Sequence, residues 1–517
     1  MPFSKSVLPL TLLLALSPLP ALAQETAQEP LTMTQIEAAW AAGDFVTVRE
    51  GLKTLAETEG TPFAMYRYGR VLIEGRGGPA DLMGARDWLE KASTANQIDA
   101  MVLLARLYLS GAQGGPERNP ERAVSLLKSA AARGNSEAQY YLGLLYARGT
   151  GITQSAEDAV TWFLASAENG NVSAMFELSR AYARGVGAEQ NTEQAVRWLT
   201  EAAAGGHAEA QYFLSFALDS GQGLAQDRAQ AANWLRRSAE AGFIRAQTAL
   251  GRKYLKGDGL EQNLGEGQRW LQQAANSGDM TAMTDLADAF RGANGVTPNP
   301  ALAMQFYSRA ADAGYPRAML GMARLLEDGF EGQPGDMEKA VEYYRKAVEA
   351  GSEEAILVLG QRAGEGKLDG LLAPHRAVPW AMAAAQNGDE AALAWLKARS
   401  DEGLRPARTA LALWLLANDG DPAEASALLT TAAEAGDVVA QHQLGLAYMK
   451  GTGVEQDYIT AHKWLNIAAA GGSSDALEMR GIAADLMTAE QVAEAQTAAR
   501  QFFEQARPPA QATGAGE

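Results

Sequence analysis

Ala138-Gln139-Tyr140-Tyr141-Leu142-Gly143-Leu144-Leu145-Tyr146, closed by Gly149 and Gly151, is the stretch that decides the fold. Its apolar residues recur at helical spacing, and glycine just past the end can take the left-handed conformation that stops a helix. The same pattern returns about every 36 residues, which makes the chain a repeat array. The opening alanine recurs as Ala64, Ala100, Ala138, Ala174, Ala210, Ala246, Ala282, Ala318 and Ala355, with a further copy at Ala440. Five positions on stands a small residue, as in Gly69, Gly143, Ser179, Gly251 and Gly445. Three positions further comes a large one, as in Tyr108, Tyr146, Tyr182 and Tyr254. The small residue lets a second helix approach closely.

A second helix completes each unit. Asp81, Asn119, Ser155, Asn191, Asp227, Asn263, Asn299, Asp336 and Asp457 precede it. Their short side chains can accept hydrogen bonds from first-turn amides, each worth about 1 kcal/mol. Pro120 and Pro300 follow two of these caps, where proline costs the helix nothing. Trp88, Trp162, Trp198, Trp234, Trp270, Trp380 and Trp464 then fill one column, with Phe306 and Tyr343 in the same place, and this column reads as core. Closing glycines such as Gly170, Gly206, Gly242 and Gly278 end the unit. The fold expected is all-α, a solenoid of helix–turn–helix repeats.

These columns resemble Sel1-like repeats, relatives of tetratricopeptide repeats, over roughly residues 63–476. The resemblance implies a right-handed superhelix of helix pairs that serves as a protein-interaction scaffold, with the first helices lining its concave face. Met487-Thr488-Ala489-Glu490-Gln491 also resembles the closing helix of bacterial members.

The ends and one break depart from the repeat. Lys5, the apolar run Val7–Leu16, the breakers Pro18 and Pro20, and Ala21-Leu22-Ala23 make residues 1–23 an export signal cleaved after Ala23. That points to a periplasmic or secreted protein of bacterial type. No later segment reaches the roughly 20 apolar residues of a bilayer span, so no membrane insertion of the mature chain is expected. Residues 24–62 read as a linker and capping helix pair, 63–390 as repeats, and 391–439 as irregular or truncated helical repeats. Residues 440–476 read as a further repeat, 477–506 as a capping helix opened by a Thr488/Gln491 box, and 507–517 as a disordered tail.

Composition excludes much chemistry. The 517 residues include no cysteine and 4 histidines, and 62 acidic against 44 basic residues give a net charge of −18. No thiolate nucleophile or cysteine zinc site is available. The charge disfavours nucleic acid, whose phosphates need a basic face. Gly149-Thr150-Gly151, Gly257-Asp258-Gly259 and Gly451-Thr452-Gly453 follow helices and lack the preceding strand and lysine of a phosphate loop, so they read as turns. His442 and His462, on paired helices, fall short of the three or four ligands a transition metal wants. No catalytic residue, cofactor or metal is expected, and the chain reads as a non-enzyme.

The exposed column six residues after the opening alanine holds Arg70, Arg106, Arg180, Arg252 and Arg324. Four residues earlier, on the same helix face, lie Tyr66, Tyr140, Phe176 and Tyr212. Together they suggest a concave track of guanidinium and aromatic groups for an extended anionic ligand, since arginine binds carboxylate with two prongs. The leading expectation is a periplasmic scaffold for protein partners, one that regulates envelope signalling or exopolysaccharide production. The alternative is an anionic-polysaccharide-binding or export-assembly scaffold. A cell-wall or β-lactam hydrolase is disfavoured by the missing cysteines and the missing serine–lysine motif.

Overall fold

The computed structural model describes residues 31–330 and 332–506; the export signal, cleavage site and tail expected from the sequence lie outside them. Among the described residues there are 27 α-helices, one short 3-10 turn at Ala293–Gly295, and no strand. They form two compact units, one ending at Asp227 and the other starting at Arg228. Successive helices pack pairwise in both, as the repeat pattern implied.

The unit around Ala138 shows why the pair forms. Asn135 caps the helix Ser136–Arg148, and Gly149 ends it at φ 66° in the left-handed region. Ser155 then accepts from the Asp158 amide at 3.1 Å and starts the helix Ala156–Glu168. Between the two, a Cβ on Gly143 would stand 2.5 Å from the Phe163 ring. Gly69 meets Leu89 in the same way at 2.8 Å, Gly251 meets Leu271 at 2.7 Å, and Gly445 meets Leu465 at 2.6 Å. The small column is therefore the seat for one large side chain of the second helix.

That side chain is not the tryptophan. Leu89, Leu271, Tyr307, Tyr344 and Leu465, each one residue after the aromatic column, have no exposed surface. Trp198, Trp270, Trp464 and Phe306 are buried, but Trp88, Trp162, Trp234, Tyr343 and Trp380 are only half-buried. The reading of that column as core is corrected accordingly. Where the ring is half-buried, it lies along the edge of the helix–helix seam with one face toward solvent. Cations use that face: Lys91 sits 4.1 Å above Trp88 and Arg237 4.9 Å above Trp234.

Two recurrent glutamines, unremarked in the sequence, tie these units together. Gln139, Gln211, Gln247 and Gln441 are buried, and each donates from Nε2 to a carbonyl near the end of the preceding helix, at 3.1–3.3 Å. Gln154, Gln190, Gln226, Gln262 and Gln456 lie in the turn inside each unit and donate to the carbonyls of Ala147, Ala183, Asp219, Leu255 and Met449. The second set reaches carbonyls in the last turn of the first helix, and the first adds a second donor to carbonyls that already accept the closing glycine's amide.

Residues 391–439 fall within and between the helices Glu390–Asp401, Arg405–Ala417 and Pro422–Glu434 and the start of Val438–Lys450. Their apolar faces join the neighbouring cores, with Trp395 and Leu396 on one side and Leu429 on the other. At the start, Thr32 and Gln35 form a capping box and Ile36 is buried. At the end, the helix Ala489–Ala506 lays Phe502 5.4 Å from Trp464.

Gly251→Val is expected to destabilise the second unit by about 1–3 kcal/mol through overpacking against Leu271. Leu271→Ala should cost about 2–5 kcal/mol through the cavity it leaves. Urea unfolding followed by circular dichroism measures both, and an unchanged midpoint for Gly251→Val would show that the close approach is not required.

Candidate functional site

The candidate arginines all project from the first helix of a unit, and all five are exposed or partly so. None of the five is open. Arg70 pairs with Glu74 on its own helix at 2.7 Å, and Arg180 with Glu177 at 3.2 Å. Arg106 reaches Glu137 of the next unit at 3.2 Å, Arg324 reaches Glu354 at 2.6 Å, and Arg252 reaches Asp285. Three of the five thus stitch neighbouring repeats. Exposed pairs of this kind are worth about 0–1 kcal/mol and exchange partners readily. A ligand carboxylate would compete for these arginines rather than find them waiting.

The aromatic residues divide differently. Phe176 is buried, stacked 4.6 Å from His207 and 6.0 Å from Phe213, so it belongs to the packing between repeats. Tyr66, Tyr140 and Tyr212 are half-buried. Burial, with the nearby Glu177 carboxylate, raises the Tyr140 phenol above its ordinary pKa. Tyr140 therefore stays a neutral hydroxyl at any physiological pH.

Two ionic nodes in the second unit were not legible in the arginine column. Asp285 is nearly buried and receives Arg252 from the preceding repeat and Arg317, at 2.8 Å, from the following one. Arg317 also holds Asp288 at 2.6 Å, and the Tyr307 hydroxyl donates to that same carboxylate. Burial and Asp288 push the Tyr307 phenol up. At the second node Glu327 pairs with Arg362 at 2.6 Å and Lys367 at 3.2 Å, and accepts from Tyr344 at 2.7 Å. Burial alone would raise the Glu327 pKa, but the hydroxyl and the two cations outweigh it and leave the carboxyl below its ordinary range. Every charge in these nodes has a partner, so their chemistry is that of a clasp between repeats.

His442 and His462 stand on neighbouring helices, Val438–Lys450 and Tyr458–Ala470. Among the described residues no group of three or more His, Cys, Asp or Glu is arranged to hold a metal ion. His207 is the N-cap of Ala208–Ser220, its Nδ1 accepting from the Ala210 amide at 3.2 Å. No helix among the described residues is long and apolar enough to cross a membrane.

The family model described as the Sel1 repeat matches residues 62–97, 98–135, 136–171, 172–207, 208–243, 244–279, 281–315, 316–352 and 438–473. The chain belongs to the Sel1 repeat family. Its Sel1 repeats take up more than half of the sequence. Over 90 residues the chain is 37% identical to the alginate biosynthesis protein AlgK of Pseudomonas syringae pv. tomato, a match covering 17% of this chain and 18% of that protein. It therefore spans less than a fifth of that relative's length. Among solved structures it resembles c5321, described as a protective antigen of uropathogenic Escherichia coli strains with an SLR fold. The two are 28% identical with a TM-score of 0.57, covering 88% of this chain and 94% of that one. A Sel1 repeat protein from Oxalobacter formigenes is 28% identical with a TM-score of 0.44, over 48% of this chain and 100% of its own.

Burial lowers the pKa of both His207 and His462 below the ordinary value. The folded state thus prefers neutral imidazole, and the stability these residues support is lost as pH falls through about 6.5. The wild type should unfold at lower urea at pH 5.5 than at pH 7.5. In a His207→Asn, His462→Phe variant, which keeps the cap without a titrating group, the difference should shrink. An unchanged difference would show that carboxylates alone set the pH dependence.

Proposed function

We propose that this Sel1 repeat protein is a non-catalytic adaptor of the bacterial envelope. In this reading it is exported with cleavage after Ala23 and docks protein partners on the first-helix faces of its repeats. The observation that carries the reading is how the polar side chains are used. Caps, the two glutamine columns and the clasps of Asp285 and Glu327 hold the repeats in place. What remains is a surface of exposed, exchangeable residues repeated from unit to unit. A surface of that kind suits docking, because its register is fixed while its side chains vary freely.

A second reading has one observation of its own in its favour. The short stretch shared with a protein named for alginate biosynthesis links the repeat to a polymer of uronic acids. Here the adaptor would serve exopolysaccharide production or its regulation, either through a protein partner or by holding the anionic polymer.

The experiment is capture of partners on immobilised mature chain from periplasmic and envelope fractions, beside retention on a column of polyuronate. The scaffold reading expects a defined protein captured in saturable amounts. Retention on polyuronate with no protein captured would favour the polymer reading, and neither outcome would leave an adaptor without support. In a bacterial host, the chain synthesised from Met1 should be recovered from the periplasm with Gln24 as its first residue. A product still starting at Met1 would contradict the proposed export.

A further inference from the structure

We propose that the helices Ser136–Arg148, Val172–Arg184 and Ala208–Ser220 together bind an extended peptide of a partner protein, one that carries carboxylates flanked by apolar side chains. The proposal rests on the scaffold reading above and names its partner's chemistry.

Free cations are the first observation. Arg148 and Arg184 occupy the last turns of two successive first helices, one turn beyond the Leu144 and Arg180 positions. Both are exposed, and neither makes a hydrogen bond or an ion pair among the described residues. They thus differ from the five arginines of the neighbouring column, each of which has a carboxylate. Arg180 and Arg184 line one cleft, and Arg148 and Arg180 both lie within electrostatic range of Tyr140. Arg148 and Arg184 thus add two unpaired guanidiniums beside the Arg180–Glu177 pair in a chain of net charge −18.

Misplaced apolar surface is the second. Val186 and Phe216 are each 55% exposed. The position of Val186 is polar at Thr150, Gln222, Asp258 and Thr452 and apolar at Phe330, while that of Phe216 is arginine in five units and apolar also at Leu144 and Leu446. Packing does not require an apolar residue at either place, since units with a polar residue there pack as well. A cleft that Val186 lines has Val160 and Phe163 in its lining together with Glu177, Arg180 and Arg184. An apolar recess next to guanidiniums fits a peptide better than a uniformly polar polymer.

Spacing gives the register. Leu144, Arg180 and Phe216 hold the same place in three successive repeats. Packed helices lie about 10 Å apart, and an extended chain advances about 3.3 Å per residue. One step along the row therefore matches three residues of peptide. The occupant reads apolar–x–x–acidic–x–x–apolar, with further acidic residues drawn to Arg148 and Arg184.

The test is panning of a phage-displayed random dodecapeptide library on the mature chain. The selected peptide is then titrated by fluorescence anisotropy against wild type, Arg148→Glu/Arg184→Glu and Phe216→Ser. These exposed positions leave helicity unchanged, which circular dichroism verifies. The proposal expects peptides with acidic residues three apart from apolar ones, and affinity at least about tenfold lower in the arginine variant. It also expects a loss in Phe216→Ser, and binding that weakens as salt rises. Basic peptides, no enriched peptide, or equal binding by all three proteins would overturn it. Retention on polyuronate lost only in the arginine variant, with no peptide selected, would assign these arginines to a polymer instead. Capture from envelope fractions separates the two levels. A partner captured equally by wild type and variants overturns this site and leaves the adaptor, whereas no partner captured by any of them removes the adaptor itself.

Discussion

The approach of one helix to the next through a single small residue is the constraint on which the rest of the structure depends. Gly143 against Phe163, Gly251 against Leu271 and Gly445 against Leu465 leave no room for a Cβ. A large side chain can therefore cross the seam and be wholly buried, and close packing of that kind is felt at the level of a methyl group. With the seam closed, the glycine turn, the cap and the next unit follow in fixed register. A repeat array is stable because this contact recurs, each unit burying a face it could not bury alone.

Closing the helices so tightly leaves many backbone ends inside, and the polar side chains answer that need first. Gln211 and Gln247 reach buried carbonyls across repeats, while Gln190 and Gln262 cap them within a repeat. Arg252 and Arg317 converge on Asp285 from both sides. What function can use is the remainder, and the remainder is uneven. Around Arg148, Arg184, Val186 and Phe216 the side chains serve no visible structural purpose, which sets this part of the first unit apart from its neighbours.

Much of the fold was legible because its signals are local and repeated. Asn119, Ser155 and Asn263 cap the helices that their positions predicted, and Gly149 turns where a helix had to stop. The tryptophan column is core only in part: at Trp234 the neighbour Leu235 fills the seam and the indole is half-buried, whereas Trp198, Trp270 and Trp464 are buried. The site was less legible still. A column of arginines looks like an anion track in sequence, but Glu137, Glu354 and Asp285 sit a whole repeat away along the chain and come alongside only on folding. The converse signal is subtler: Val186 and Phe216 are apolar and exposed at positions where most other repeats are polar.

A partner that docks on the first-helix face of these repeats must shield the side chains of that face from solvent. Hydroxyl-radical footprinting of the mature chain, free and with its captured partner, tests this most directly. The account predicts that Leu144, Val186 and Phe216 lose reactivity while Trp162 and Trp234, on the second helices, keep theirs. Protection of Trp162 and Trp234 with Leu144, Val186 and Phe216 unchanged would contradict it.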